Sequence, residues 1–130
     1  MNVKPGENVL IVTDDEKYAI GQALYQAAKL LKAEAMLMTM TAREVSGQEP
    51  PAVVAAAMKA ADVVICPMKT SITHTRAKIE AAEAGARIAT MPGITEEMFA
   101  GMFRFIIIGS IRLVPFLAIA SVGMQPVRQR

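Results

Sequence analysis

Lys4-Pro5-Gly6-Glu7-Asn8-Val9-Leu10-Ile11-Val12-Thr13-Asp14-Asp15-Glu16 begins with a turn, runs through an uninterrupted apolar stretch and ends in an acidic turn. A short β-branched run bounded by turn residues reads as a strand buried on both faces. Thr13 and Asp14 suit the cap of a following helix, and Asp15 and Glu16 suit its positive end. Ile20, Ala23, Leu24, Ala27, Ala28 and Leu31 then recur at helical spacing, which predicts an amphipathic helix over 15–32.

The same unit repeats outward from there. Ala35 to Thr41 sets Met36, Met38 and Met40 against Leu37 and Thr39 and reads as a second strand. Ala42 to Pro51 is polar and holds Gly47 and Pro50, so it reads as a loop. An alanine-rich helix to about Ala61 follows, with Pro51 in its first turn. Val63 to Cys66 is a third strand. A helix from Thr75 to Ala84 stops at Gly85, and Arg87 to Thr90 is a fourth strand. Met91-Pro92-Gly93 is a turn, and Thr95-Glu96-Glu97 opens a further helix. Strand–helix alternation with connections of this length joins parallel strands through right-handed crossovers. An α/β fold is therefore expected: an open, mostly parallel sheet of four to five strands between two helical layers. Function in such sheets gathers at the carboxyl ends of the strands. The loops there are Thr13–Glu16, Thr41–Pro51, Pro67–Thr75 and Met91–Thr95.

Composition excludes several classes of function. A hydrophobic fraction of 53% with 20% charged residues belongs to a folded domain. Aromatic residues make up 5% and the net charge is +2, too little of either for a nucleic-acid surface. One cysteine, Cys66, forbids an internal disulfide, fits a reducing cytoplasm and closes an apolar strand as a buried thiol. Lys4, Pro5 and Glu7 break any leader-like apolar start, and a cytoplasmic protein is expected. Dinucleotide binding needs glycines after the first strand, where Thr13-Asp14-Asp15-Glu16 instead brings three carboxylates. Asp14 and Asp15 together resemble the Mg²⁺ pair of a phosphotransfer receiver, but Cys66-Pro67-Met68 stands where such a protein needs a third aspartate. Helix capping is the simpler reading of the pair.

The loop Lys69-Thr70-Ser71-Ile72-Thr73-His74-Thr75-Arg76-Ala77-Lys78 carries the densest chemistry. Hydroxyls, the single histidine and three cations surround a helix amino terminus, where free N–H groups and the helix dipole favour anions. The plainer alternative is a cap cluster on a solvated turn. No second histidine or cysteine stands ready to build a metal centre with His74, so this chain is expected to bind no metal and to hold no catalytic residue.

Three segments resemble one family. Val3 to Ile11, Ser71-Ile72-Thr73-His74-Thr75, and Ala84-Gly85-Ala86-Arg87-Ile88-Ala89-Thr90-Met91-Pro92-Gly93-Ile94-Thr95 are similar to the amino-terminal domain of the aminopeptidase T family of metal-dependent leucyl aminopeptidases, which has a branch of hydroxypyridine ring-cleaving dioxygenases. The resemblance covers roughly residues 3–99. It implies a Rossmann-like α/β/α sandwich, followed in the parent by a catalytic domain whose Glu, His, Tyr and Asp residues bind a divalent metal (Zn, Co, Mg or Mn). None of those ligands maps onto this sequence. Ser71, Thr73, His74, Thr75, Arg76, Met91, Pro92 and Gly93 would face the partner domain and the substrate. The alternative is a stand-alone α/β module for small-anion binding or oligomerisation.

A composition break divides the chain into a domain over 1–99 and a tail over 100–130. Residues 1–97 carry ten basic against twelve acidic residues, a net −2, whereas 98–130 carry four arginines and no acid. Three readings of the tail stand side by side: a core strand at Phe105–Ile108 with an apolar segment packed on the same domain or another copy, a membrane span interrupted by Arg104, Arg112 and Pro115, and a shifted reading frame. Self-association into a homo-oligomer is expected from so large an apolar run.

Overall fold

The computed structural model describes residues 3–95 and 97–99. The expected strand at Phe105–Ile108 and the whole tail lie outside the described residues. Four strands, β1 (Asn8–Asp14), β2 (Glu34–Met40), β3 (Val63–Met68) and β4 (Arg87–Pro92), form one sheet in the order β2-β1-β3-β4. Every neighbouring pair is parallel. Helices α1 (Tyr18–Leu30), α2 (Ala52–Ala60) and α3 (Arg76–Glu83) make the connections.

The strand order explains which face each helix covers. From β1 to β2 the chain moves one way across the sheet; from β2 through β3 to β4 it moves the other way. Right-handed crossovers then put α1 on one face and α2 with α3 on the opposite face. The core divides accordingly. Val9 and Ile11 of β1 and Val63 and Ile65 of β3 pack with Ile20, Leu24, Ala27 and Ala28 of α1. Their neighbours Leu10, Val12, Val64 and Cys66 point the other way, against Val54 and Met58 of α2 and Ala77 and Ala81 of α3. This alternation is why the central strands read as unbroken apolar runs. Burying a leucine or isoleucine is worth about 1.5–3 kcal/mol, so Ile20 and Leu24 supply much of α1's attachment.

The α1–β1 contact is close because Gly21 faces Thr13; a Cβ at Gly21 would lie 2.8 Å from both Cβ and Cγ2 of Thr13. At the amino-terminal edge, Asp62 Oδ2 accepts from the Asn8 N–H at 2.9 Å, and Arg87 Nη2 donates to Glu7 Oε1 at 2.6 Å. Glu80 pairs with Lys59 across the α2–α3 contact at 3.6 Å, and Arg87 with Glu7, neighbours that helix packing and parallel register set. Among the described residues, no helix is long and apolar enough to cross a membrane.

Candidate functional site at the carboxyl edge of the sheet

The chain order reverses beside β1, so the crevice characteristic of open α/β sheets lies between the carboxyl ends of β1 and β3. The β1–β3 ladder runs only from Val9↔Val63 to Ile11↔Ile65. Beyond it the strands are joined by a side chain: Thr13 Oγ1 donates to the Pro67 carbonyl at 2.9 Å. Asp14 is fully buried, and its carboxylate accepts from three backbone donors. Oδ1 accepts from Glu16 N and Lys17 N at 3.0 Å each, and Oδ2 from Lys69 N at 2.7 Å. One aspartate thus shapes the entry to α1 and fixes the third loop against the first. The expected helix cap is not formed: the N-cap of α1 is Lys17, without a side-chain cap bond, no acid lies in the first turn, and Asp14 instead organises the turn ahead of the helix.

The remaining acids of the first loop are engaged as well. Asp15 Oδ1 accepts from Ala42 N at 3.2 Å. Glu16 pairs with Lys69 Nζ at 3.5 Å, and Glu44 approaches the same ammonium at 3.6 Å. These two carboxylates, Glu16 first, raise the Lys69 pKa above its ordinary value. Among the described residues, no group of three or more His, Cys, Asp or Glu side chains is placed to hold a metal ion.

The second loop folds over the third. Ser71 N donates to Ser46 Oγ at 3.1 Å, and Gly47 N to the Ser71 carbonyl at 3.0 Å. Glu49 reaches the amino terminus of α3, where its carboxylate accepts from Arg76 N at 2.6 Å and Ala77 N at 3.2 Å. The donors expected to attract an external anion there are therefore bonded to a carboxylate of the chain itself. Sequence spacing gave no sign of this contact, which joins residues 27 positions apart.

The expected site residues separate into three groups. Ser71, Thr73 and the newly implicated Thr90 form a hydroxyl chain: Ser71 Oγ donates to Thr73 Oγ1 at 2.9 Å, and Thr73 Oγ1 lies 3.5 Å from Thr90 Oγ1. His74, Arg76, Pro92 and Gly93 are exposed around this chain. Gly93 adopts φ +68°, a conformation that suits glycine, and its N–H donates to the Met68 carbonyl at 2.9 Å. Thr75 and Met91 lie elsewhere. Thr75 is fully buried, with Oγ1 donating to the Ile72 carbonyl at 2.6 Å and accepting from Lys78 N, so it caps α3. Met91 is fully buried in the α1-side core, since strand alternation turns it away from its exposed neighbour Pro92. Neither can face a substrate in this arrangement. Cys66 is also buried, and desolvation pushes its thiol up to about 12, far from a reactive thiolate.

What results is a ledge of neutral hydroxyls, one exposed imidazole and a tight turn, standing on a rigid sheet edge. Such a surface offers hydrogen bonds and shape. No hydrogen bond links His74 to a hydroxyl among the described residues. Compared with protein families, with curated proteins and with solved structures, the chain finds no match in any of the three.

Proposed function

We propose that this chain is the amino-terminal α/β domain of a metal-dependent aminopeptidase that removes residues such as leucine from peptide amino termini in the cytoplasm. In that reading the divalent metal, which activates water for attack on the first peptide bond, is held by the Glu, His, Tyr and Asp residues of a separate catalytic domain. The present chain contributes a wall of the cleft. One observation supports this reading above the others. The two family-like segments at the carboxyl edge, Ser71–Thr75 and Ala84–Thr95, meet through the hydroxyls of Thr73 and Thr90. They build one continuous ledge, as a surface facing a partner domain requires.

The small-anion alternative is weaker, because Glu49 already engages the amino terminus of α3. The gene beyond codon 130, read in all three frames, tests the proposal. A region encoding the Glu, His, Tyr and Asp ligand set is expected next to it; its absence from every frame overturns the assignment.

A further inference from the structure

We propose that the free edge of β2 is a self-association surface, on which a second copy of this chain adds its own β2 antiparallel and extends the sheet across a two-fold axis at Leu37. Among the described residues, β2 is the terminal strand of the sheet on its side. Glu34 N donates to the Glu7 carbonyl at 2.8 Å and the Met40 carbonyl accepts from Asp15 N at 3.1 Å. Even-numbered residues therefore turn their backbone groups toward β1. By strand alternation, Ala35, Leu37 and Thr39 turn theirs outward.

Edge strands are commonly protected by lysine, proline or a bulge. Glu34-Ala35-Met36-Leu37-Met38-Thr39-Met40 has no lysine, arginine or proline, and it keeps an unbroken seven-residue register with β1. Its α2-side face is also incompletely covered. Helices α2 and α3 pack against each other over β1 and β4. Met36 is left 40% exposed, beside an apolar groove of about 260 Å³ lined by Asn8, Leu10, Met36, Ala57, Ala60 and Ala61.

The strand's own symmetry identifies the occupant. A two-fold interface requires that residue i meets j and j meets i. About Leu37 the sequence is nearly palindromic in side-chain size: Met36 answers Met38, and Ala35 answers Thr39. In that register Ala35 lies opposite the partner's Thr39, and Leu37 opposite its own copy. These are the residues whose backbone groups face outward, so each makes a hydrogen-bonded antiparallel pair. A shift of the axis by one residue to either side leaves fewer such pairs. Met36 meets the partner's Met38 on the groove side and extends the apolar surface across the axis. Glu34 meets Met40 and Lys32 meets Ala42, so no like charges face each other. A seven-residue edge is about 23 Å long. With side chains on both faces, the contact belongs at the small end of specific interfaces, and a concentration-dependent dimer is expected.

Sedimentation velocity of the full chain over a concentration series, with Thr39→Pro alongside, tests this. The Thr39 N–H points away from β1, so proline there removes no ladder bond within one copy, whereas in the proposed dimer it removes the bond to the partner's Ala35 carbonyl. The parent should show a monomer–dimer equilibrium, and Thr39→Pro should weaken it at least about tenfold with an unchanged far-UV circular dichroism spectrum. A monomeric parent, including one whose own residues 103–122 fill the groove, overturns the proposal, and so does a dimer indifferent to Thr39→Pro. If that variant does not fold, oxidation of a Met36→Cys/Met38→Cys double variant decides. The double variant should cross-link into a covalent dimer, since non-hydrogen-bonded antiparallel pairs bring Cβ atoms close to disulfide range. Each single variant should not. Failure of the double variant, or equal cross-linking by the singles, contradicts the register.

Discussion

At Thr13 two strands that no longer share a ladder are joined by one hydroxyl, and the same side chain limits how near α1 can come. Gly21 is required by that second contact, because its missing Cβ leaves the space that Thr13 fills. Gly21→Ala should destabilise the domain by about 1–3 kcal/mol, the usual range for overpacking a well-filled core. Urea unfolding measures it, and adding Thr13→Ser, which deletes Cγ2 and keeps the hydroxyl, should recover part of the loss. Sequence reading took Asp14 for a helix cap, whereas its carboxylate organises the turn ahead of Lys17, the N-cap of α1. It did not anticipate that the carboxylate would also bind Lys69 N, 55 positions away, because a hydrogen bond of that separation depends on which strands become neighbours. Met91 shows the reverse case. Its place in a turn-like Met-Pro-Gly motif suggested a surface role, whereas β4 extends to Pro92 and alternation turns Met91 into the core.

At the scale of elements, the long loop between β2 and α2 is ordered by what it touches. Glu49 gives α3 the negative charge that its own first turn lacks. Glu49→Gln should cost about 0.3–1 kcal/mol, the ordinary worth of a charge at a helix amino terminus, and the loss should shrink with added salt. Thermal unfolding at low and high ionic strength measures both. At the opposite edge, Glu7 links the turn before β1 to the start of β4. The hydrogen bond from Arg87, with a further one from the backbone of Lys4, holds the Glu7 carboxyl below its ordinary value of 4.5. A lowered carboxyl pKa stabilises the fold above the unfolded value and loses that contribution as pH falls through the folded one. Glu7→Gln should therefore be less stable than the parent at neutral pH, with the difference vanishing in acid below the folded pKa. A melting-temperature profile against pH checks the sign. The elements themselves were legible in the sequence to within a few residues, because buried strands, amphipathic spacing and glycine stops are local signals. The helix expected over 15–32 occupies Tyr18–Leu30, its start delayed by the turn that Asp14 organises.

For the molecule as a whole, the strand order β2-β1-β3-β4 collects four loops on one edge and engages most of their charge internally. Asp14, Asp15 and Glu16 are bound to backbone amides or to Lys69, and Glu49 is bound to α3. What stays open is the hydroxyl and imidazole ledge from Ser71 to Gly93. The parallel architecture followed from alternation and connection length alone. The assembly of that ledge did not, because it depends on β3 and β4 ending side by side, with Cys66↔Thr90 and Met68↔Pro92 in register. Under the proposed function this sheet supplies walls for a reaction whose metal is bound by another domain. Release of p-nitroaniline from leucine p-nitroanilide by the purified 130-residue chain, assayed with Zn²⁺, Co²⁺, Mg²⁺ and Mn²⁺ in turn, tests that claim most directly. No metal-dependent turnover above the metal-only blank is predicted; saturable turnover that a chelator abolishes and the added metal restores would contradict it.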